Sequence, residues 1–407
     1  MKLSAFQKRS LSLLFIIGIL FLRFYEEKVN MINGTMMAFS YGYGFISRGF
    51  AGTIYQLCNQ VLPIDMINYP SLLRYTFVVT MMFYLCVWFF LRYVMKKTPE
   101  ENQQFVWYFA VMFLVATVPM FAAECNFGRL DLYQILFSLF AVMILMEGKF
   151  EWLIVPLTAF GIMTHQGYIF MFYHIVVVML IYYGWKRIEK RKYYAILFAS
   201  SFLVVVFLFF WFEVFSHGSG QEIYNDIVSS AQRICLDGLI HEDVIKHEIL
   251  GIDLATSEIE IQWQMPARLQ LFVYIILMLP FIVPLVHGIK NYFLKDLKKG
   301  ELLVYGTLAI GAGAILPDLL LKVDFGRWMY TIIFYYLVVI MVLMKEKDMR
   351  LQSVVTDYGT VIKKIGAWTP WVMLAYFFLL QPLGDVNICP VTKIIVYTLN
   401  RLVLHLW

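Results

Sequence analysis

Charged residues are scarce in this chain. Asp, Glu, Lys and Arg make up only 15% of its 407 residues, while 61% are apolar and 18% aromatic. A soluble domain rarely rises much above about half apolar, so this balance excludes an ordinary water-soluble globule. The net charge of +5 does not mark a nucleic-acid binder, because the basic residues gather at the ends of apolar runs and form no stripe. Cysteine is sparse too. Cys58, Cys86, Cys125, Cys235 and Cys389 show no C-x-x-C or other metal-ligand spacing, which leaves them as incidental thiols and gives no metal site. No small-residue cleavage site follows the first apolar run, so that run reads as an uncleaved helix. No internal repeat is visible beyond one tripeptide, Phe-Gly-Arg, that occurs twice.

What the chain has in abundance is long apolar segments. They fall at Leu11–Phe24, Leu72–Val94, Val106–Ala123, Leu132–Met146, Trp152–Met163, Tyr168–Tyr183 and Tyr194–Phe212. After a polar stretch they resume at Leu269–Val286, Leu302–Leu321, Met329–Met344 and Val372–Leu380. Pro390–Trp407 carries Lys393, Asn400, Arg401 and His405, which favours an interfacial helix over a last short span. The expected fold is all-α: one polytopic membrane domain over residues 1–407 with about 11 (roughly 10–12) transmembrane helices. Most of the 33 lysines and arginines lie in short loops that share one side if the N-terminus is cytoplasmic, from Lys2, Lys8 and Arg9 to Lys363 and Lys364. The positive-inside rule therefore puts the N-terminus in the cytoplasm of a cell whose plasma or inner membrane holds the protein.

Under that topology the unusual polar residues converge outside. Phe127-Gly128-Arg129 lies within the segment Glu124–Asp131, and Phe325-Gly326-Arg327 lies between Asp324 and Trp328. Each reads as a tight hairpin between spans that sets an arginine beside a carboxylate, at a depth where stray charge is costly. Glu124 or Asp131 can act as general base on a sugar hydroxyl while Arg129 holds a phosphate; alternatively Asp131 caps a helix and joins a salt bridge. Asp324 and Arg327 form the corresponding pair, with Trp328 as interface anchor or sugar platform. Tyr41–Gly52 holds four glycines and Arg48, which either faces a ligand or snorkels to lipid phosphate. Thr164-His165-Gln166-Gly167 follows a helix too short to cross roughly 30 Å of hydrocarbon, so the turn is sunk. His165 is then a pocket residue, or a buried structural histidine. The acidic stretch 213–267 contains two amphipathic segments, Gln221–Leu236 and His241–Leu250, that read either as a lid or partner surface over the outer face or as a solvated loop.

Arginines suit phosphate or diphosphate, aromatics suit sugar rings, and a carboxylate or histidine suits activation of a hydroxyl. In span count, long first outer loop, large later outer loop and outer Arg48, Arg129 and Arg327, the chain resembles bacterial polysaccharide-assembly membrane proteins. These are the Wzy-type O-antigen and capsule polymerases and the GT-C-type glycosyltransferases. GT-C enzymes carry an acidic motif in the first outer loop, where this chain offers only Glu26, Glu27 and Asp65, so the polymerase pattern fits better. The resemblance implies inverting transfer of a polyprenyl-diphosphate-linked glycan, no cofactor, and partner proteins of polysaccharide assembly. A flippase for lipid-linked oligosaccharide is the alternative from another class.

Overall fold

A computed structural model describes residues 7, 9–17, 28–61, 67–122, 127–216, 219–251, 265–321, 325–365, 368 and 372. Glu124, Asp324 and the C-terminal stretch 390–407 lie outside the described residues, as do the expected span at 372–380 past its first residue and the lid-region residues 252–264. Among the described residues the chain is helical, without a strand. Among the described residues, five helices are long and apolar enough to cross a membrane: Tyr69–Lys97, Ile188–Val214, Leu271–Phe293, Lys299–Leu320 and Phe325–Lys345. An all-helical membrane protein is what these helices describe. Shorter apolar helices among the described residues include Glu151–Thr164, and the expected runs at 11–24, 106–123 and 372–380 lie partly outside the described residues.

The chain divides into two compact units. One comprises Leu22–Cys86 and Phe121–Ser257. It contains α1 (Met31–Met36), α2 (Gly49–Val61), most of α3 (Tyr69–Lys97) and, past the end of α4 (Gln103–Ala122), α5 (Asp131–Glu147). There follow α6 (Ile154–Thr164), α7 (Tyr168–Met171), α8 (Tyr173–Lys186), α9 (Arg191–Val214), α10 (Gln221–Ile234) and α11 (Glu242–Leu250). Helix α6 packs on α5 and α9, and α8 packs on the same two, making a four-helix core. Ile196, Phe202, Leu203, Phe207 and Phe210 stand out from α9 into solvent-accessible space. An apolar face turned outward is stable only where the solvent is lipid. Small residues allow close contact elsewhere. A Cβ on Gly52 would lie 1.9 Å from the Phe39 carbonyl oxygen, so α2 presses its bare backbone onto residues 37–39.

The expected amphipathic pair in the acidic stretch is present as α10 and α11. Tyr224, Ile227, Ala231 and Ile234 make the buried stripe of α10, and Gly251 ends α11 in the left-handed conformation. The Tyr224 hydroxyl donates to Glu242 at 2.6 Å and ties the two helices together. Both helices pack on α1.

The second unit comprises Met1–Phe21, Val87–Met120 and Glu258–Trp407. Its described part holds α12 (Met265–Gly288), α13 (Lys299–Ile310), α14 (Leu316–Leu321), α15 (Phe325–Lys345) and α16 (Met349–Ile365), with most of α4. Helix α15 is its centre and is enclosed on nearly every side. Phe113 of α4 meets Phe334 of α15 at 5.5 Å, and the Asn102 amide donates to the Met344 carbonyl at 3.3 Å. Helix α12 exposes Phe272, Ile275, Ile276, Leu279, Val283 and Val286, a stripe at helical spacing fit for lipid.

One apolar run breaks inside this unit. The run from Lys299 to Leu320 is α13, a tight 3₁₀ stretch at Gly311–Ile315, then α14. Carbonyls normally taken by the next helical turn are freed there. Two tyrosines of α15 take them up: the Tyr335 hydroxyl donates to Leu308 O at 3.0 Å and the Tyr336 hydroxyl to Ala309 O at 2.7 Å. Helix α16, unforeseen in the sequence, packs on α15 and on the π-helical turn Ile289–Phe293. Its entry is clamped by polar contacts. Asp348 accepts from Tyr305 at 2.8 Å, and Arg350 pairs with Glu301 at 2.7 Å.

Candidate functional site

The two Phe-Gly-Arg copies differ in conformation. The first forms a turn in which Gly128 adopts φ +85, a region a Cβ strongly disfavours. Phe127 is buried and its carbonyl accepts from the Asn33 amide at 2.8 Å, which docks the turn on α1. Arg129 follows, half-buried, and Asp131 opens α5 two residues later. Asp131 does not occupy the N-cap: Leu130 does, without a side-chain cap, and Asp131 lies 1% exposed in the first helical turn. The second copy is helical, because Phe325, Gly326 and Arg327 form the first turn of α15. Arg327 stacks over the buried Trp328 ring at 5.0 Å, and the Trp328 indole N–H has no hydrogen-bond partner among the described residues.

The Thr164–Gly167 turn sits between α6 and α7 as expected. Helix α6 has 11 residues, roughly 16 Å of rise, so the chain turns well short of a bilayer's width. His165 leaves the helix in extended conformation (φ −166). Gln134 of α5 holds the turn from one side, donating to the His165 carbonyl at 2.7 Å and to Gly161 O at 3.3 Å. The Gly167 N–H donates to His165 Nδ1 at 2.8 Å. With Nδ1 accepting, a neutral ring carries its proton on Nε2.

Above the turn lies a buried ion pair. Arg48 meets Glu248 of α11 at 2.7 Å, with side chains 12% and 2% exposed. Gln166 donates to the other Glu248 oxygen at 3.3 Å. The Ser47 N–H donates to the Ser216 hydroxyl at 2.8 Å, which in turn donates to the Glu248 backbone carbonyl at 3.3 Å. Burial pushes the Glu248 carboxyl up, yet the Arg48 guanidinium, then the Ser47 hydroxyl, His247 and the Gln166 amide, hold it below the usual carboxylate range. Arg48 has a left-handed backbone (φ 59), and its Nε is buried without a partner among the described residues. Strain of this kind persists only where surrounding contacts enforce it. Arg48 therefore faces a protein carboxylate in this state.

An aromatic ledge flanks the pair. Phe45 lies 5.3 Å from Tyr41, 5.2 Å from Phe212 and 6.2 Å from Trp211, and Trp211 stacks with Phe215 at 4.6 Å. Phe45 and Phe215 remain exposed. The Tyr41 hydroxyl reaches the Met163 carbonyl at 3.4 Å, so this ledge joins the sunk turn.

No family model, characterised protein or solved structure matches the chain. The site is therefore read from its own chemistry. One end of a single unit carries Arg48, Arg129, Asp131 and His165 through shared neighbours: α1 touches the Phe127 turn, and Met36 of α1 lies 3.6 Å from Arg48. Arg327 and Trp328 belong to the other unit. Glu248 and Gln166 were not singled out from sequence. Glu248 carried a signal all the same, since it shares the buried face of α11 with Ile245 and Ile249. A lone carboxylate in an apolar stripe calls for a buried cation. Among the described residues no cluster of His, Cys, Asp and Glu could hold a metal.

Proposed function

We propose that this chain is an integral-membrane glycosyltransferase of cell-surface polysaccharide assembly. It acts as a polymerase that transfers a polyprenyl-diphosphate-linked glycan to an acceptor sugar hydroxyl on the extracytoplasmic face of the plasma membrane. The observation that carries the reading is the sunk turn at His165, covered by α11 and bordered by arginine and an exposed aromatic ledge. In this reading the acceptor oxygen attacks the anomeric carbon, the bond from that carbon to the diphosphate oxygen breaks, and polyprenyl diphosphate leaves. Asp131 takes the acceptor proton. His165 contacts an oxygen of donor or acceptor and Arg129 neutralises the diphosphate, with Arg48 joining it only when α11 moves and takes Glu248 away. Asp131 is buried, so substrate entry requires the covering segments to move.

A second reading, transport of lipid-linked oligosaccharide, has one observation in its favour. The break between α13 and α14 is the kind of discontinuous helix found in transporters. The test is a panel of Arg129→Ala, Arg327→Ala, Glu124→Gln, Asp131→Asn, His165→Ala and Asp324→Asn, scored for surface polymer with protein insertion checked in parallel. Loss of polymer in the arginine variants and near-complete loss in at least one of the other four supports the enzyme. Normal polymer in all six refutes the site.

A further inference from the structure

The opposite end of the four-helix core carries a feature that the proposed transfer reaction does not use. The α5–α6 connection runs Glu147, Gly148, Lys149, Phe150, Glu151, Trp152; the α8–α9 connection runs Lys186, Arg187, Ile188, Glu189, Lys190, Arg191, Lys192. The two are bolted together by Glu151, which is 5% exposed. It accepts from Arg187 at 2.9 Å and from the Tyr194 hydroxyl, and lies 3.7 Å from Lys190. Arg187 also caps the end of α5, donating to Leu145 O at 2.9 Å. The central carboxylate is thus consumed inside the joint, and the surrounding surface keeps an excess of positive charge. Lys149, Lys186, Arg191 and Lys192 are exposed, and Lys190 remains 53% exposed beside its ion pair.

Large apolar side chains project from the same rim. Phe150 is 68% exposed, Trp152 60% and Ile188 76%, and Phe150 is set outward by a left-handed backbone. Water alone would disfavour three such side chains at the tip of rigid connections. Exposed aromatics interleaved with lysines match the level where acyl chains meet headgroups.

We infer that this rim is a binding surface for anionic phospholipid headgroups, with Phe150, Trp152 and Ile188 seated among the acyl chains and Lys149, Lys190 and Lys192 contacting the phosphates. Charge complementarity selects the occupant: net-positive side chains on short, fixed connections attract an anionic surface at close range. Arg187 is excluded from that role because it holds Glu151 and the end of α5. The inference is independent of the transfer reaction.

The test uses the full-length protein in nanodiscs of one composition, half phosphatidylglycerol and half phosphatidylcholine, with brominated acyl chains on one lipid or on the other. Tryptophan quenching is read for the wild type and for Trp152→Phe, and the difference isolates Trp152. The inference expects brominated phosphatidylglycerol to quench Trp152 more strongly, corresponding to roughly fivefold local enrichment, the factor one cation supplies near an anionic surface. It expects that preference to vanish in Lys149→Gln/Lys190→Gln/Lys192→Gln, exposed positions of which only Lys190 also approaches Glu151, the closer Arg187–Glu151 and Tyr194–Glu151 contacts being kept. Equal quenching by the two lipids overturns it. So does the absence of quenching by either, which would point to a protein partner on this rim. Retained preference in the triple variant, with an unchanged melting curve, overturns it as well.

Discussion

Glu248 shows how much one side chain decides in this protein. Replacing it with Ala leaves Arg48 buried without its anion, and breaking a buried pair from one side costs about 3–5 kcal/mol. Glu248→Ala is expected to lower the melting temperature in detergent sharply, while Arg48→Met/Glu248→Leu recovers much of the loss. A double variant as unstable as the single one would contradict the account. The pair also sets an acid limit. The folded carboxyl is held below the ordinary range, so the unfolded chain binds the proton more readily. The stabilisation is complete above the unfolded carboxylate pKa of about 4.3 and is lost as pH falls through the folded value. Melting temperature against pH should therefore slope more weakly below about pH 4.3 in Glu248→Gln than in the wild type. Arg48, Arg129, Asp131 and His165 could be chosen from sequence because charge in an apolar chain needs a reason. Their partners could not, because Glu248 lies 200 residues from Arg48 and only folding reveals which cation meets which anion.

Breaks in helices mark where local sequence and packing disagree. The apolar run Leu302–Leu321 looks continuous, yet Gly311 and Gly313 weaken the helix and Pro317 removes a donor, so the backbone tightens at Gly311–Ile315. The freed carbonyls would be costly in lipid without Tyr335 and Tyr336. Tyr335→Phe and Tyr336→Phe should each destabilise by about 1–3 kcal/mol, the cost of a buried group left unsatisfied. Thermal melts of the two variants check this, and unchanged stability in both would show that the break is satisfied in another way. The extents of α5, α9, α10 and α15 were legible from periodicity and turn residues to within a few positions. Helix α16 was not, because its apolar positions, among them Leu351 and Val355, are too few to read as a span and acquire meaning only against α15. The tripeptide repeat misled in a similar way. Identical Phe-Gly-Arg sequences became a turn at Gly128 and a helix start at Gly326, because the docking of Phe127 on Asn33 fixes the first.

At the largest scale, the unit of Leu22–Cys86 and Phe121–Ser257 divides its two ends by chemistry. The end with α10 and α11 holds the buried ion pair, the sunk histidine and the aromatic ledge; the other end of the same core holds the basic rim around Glu151. If the first is a catalytic site, turnover needs no separation between two sides of a membrane. Purified protein in detergent, given a polyprenyl-diphosphate-linked oligosaccharide, is the direct trial. The account predicts that longer lipid-linked glycan appears together with free polyprenyl diphosphate, and that both disappear in Asp131→Asn. No elongation in detergent, alongside movement of the same lipid across sealed vesicles containing the protein, would contradict it and establish the transport reading in its place.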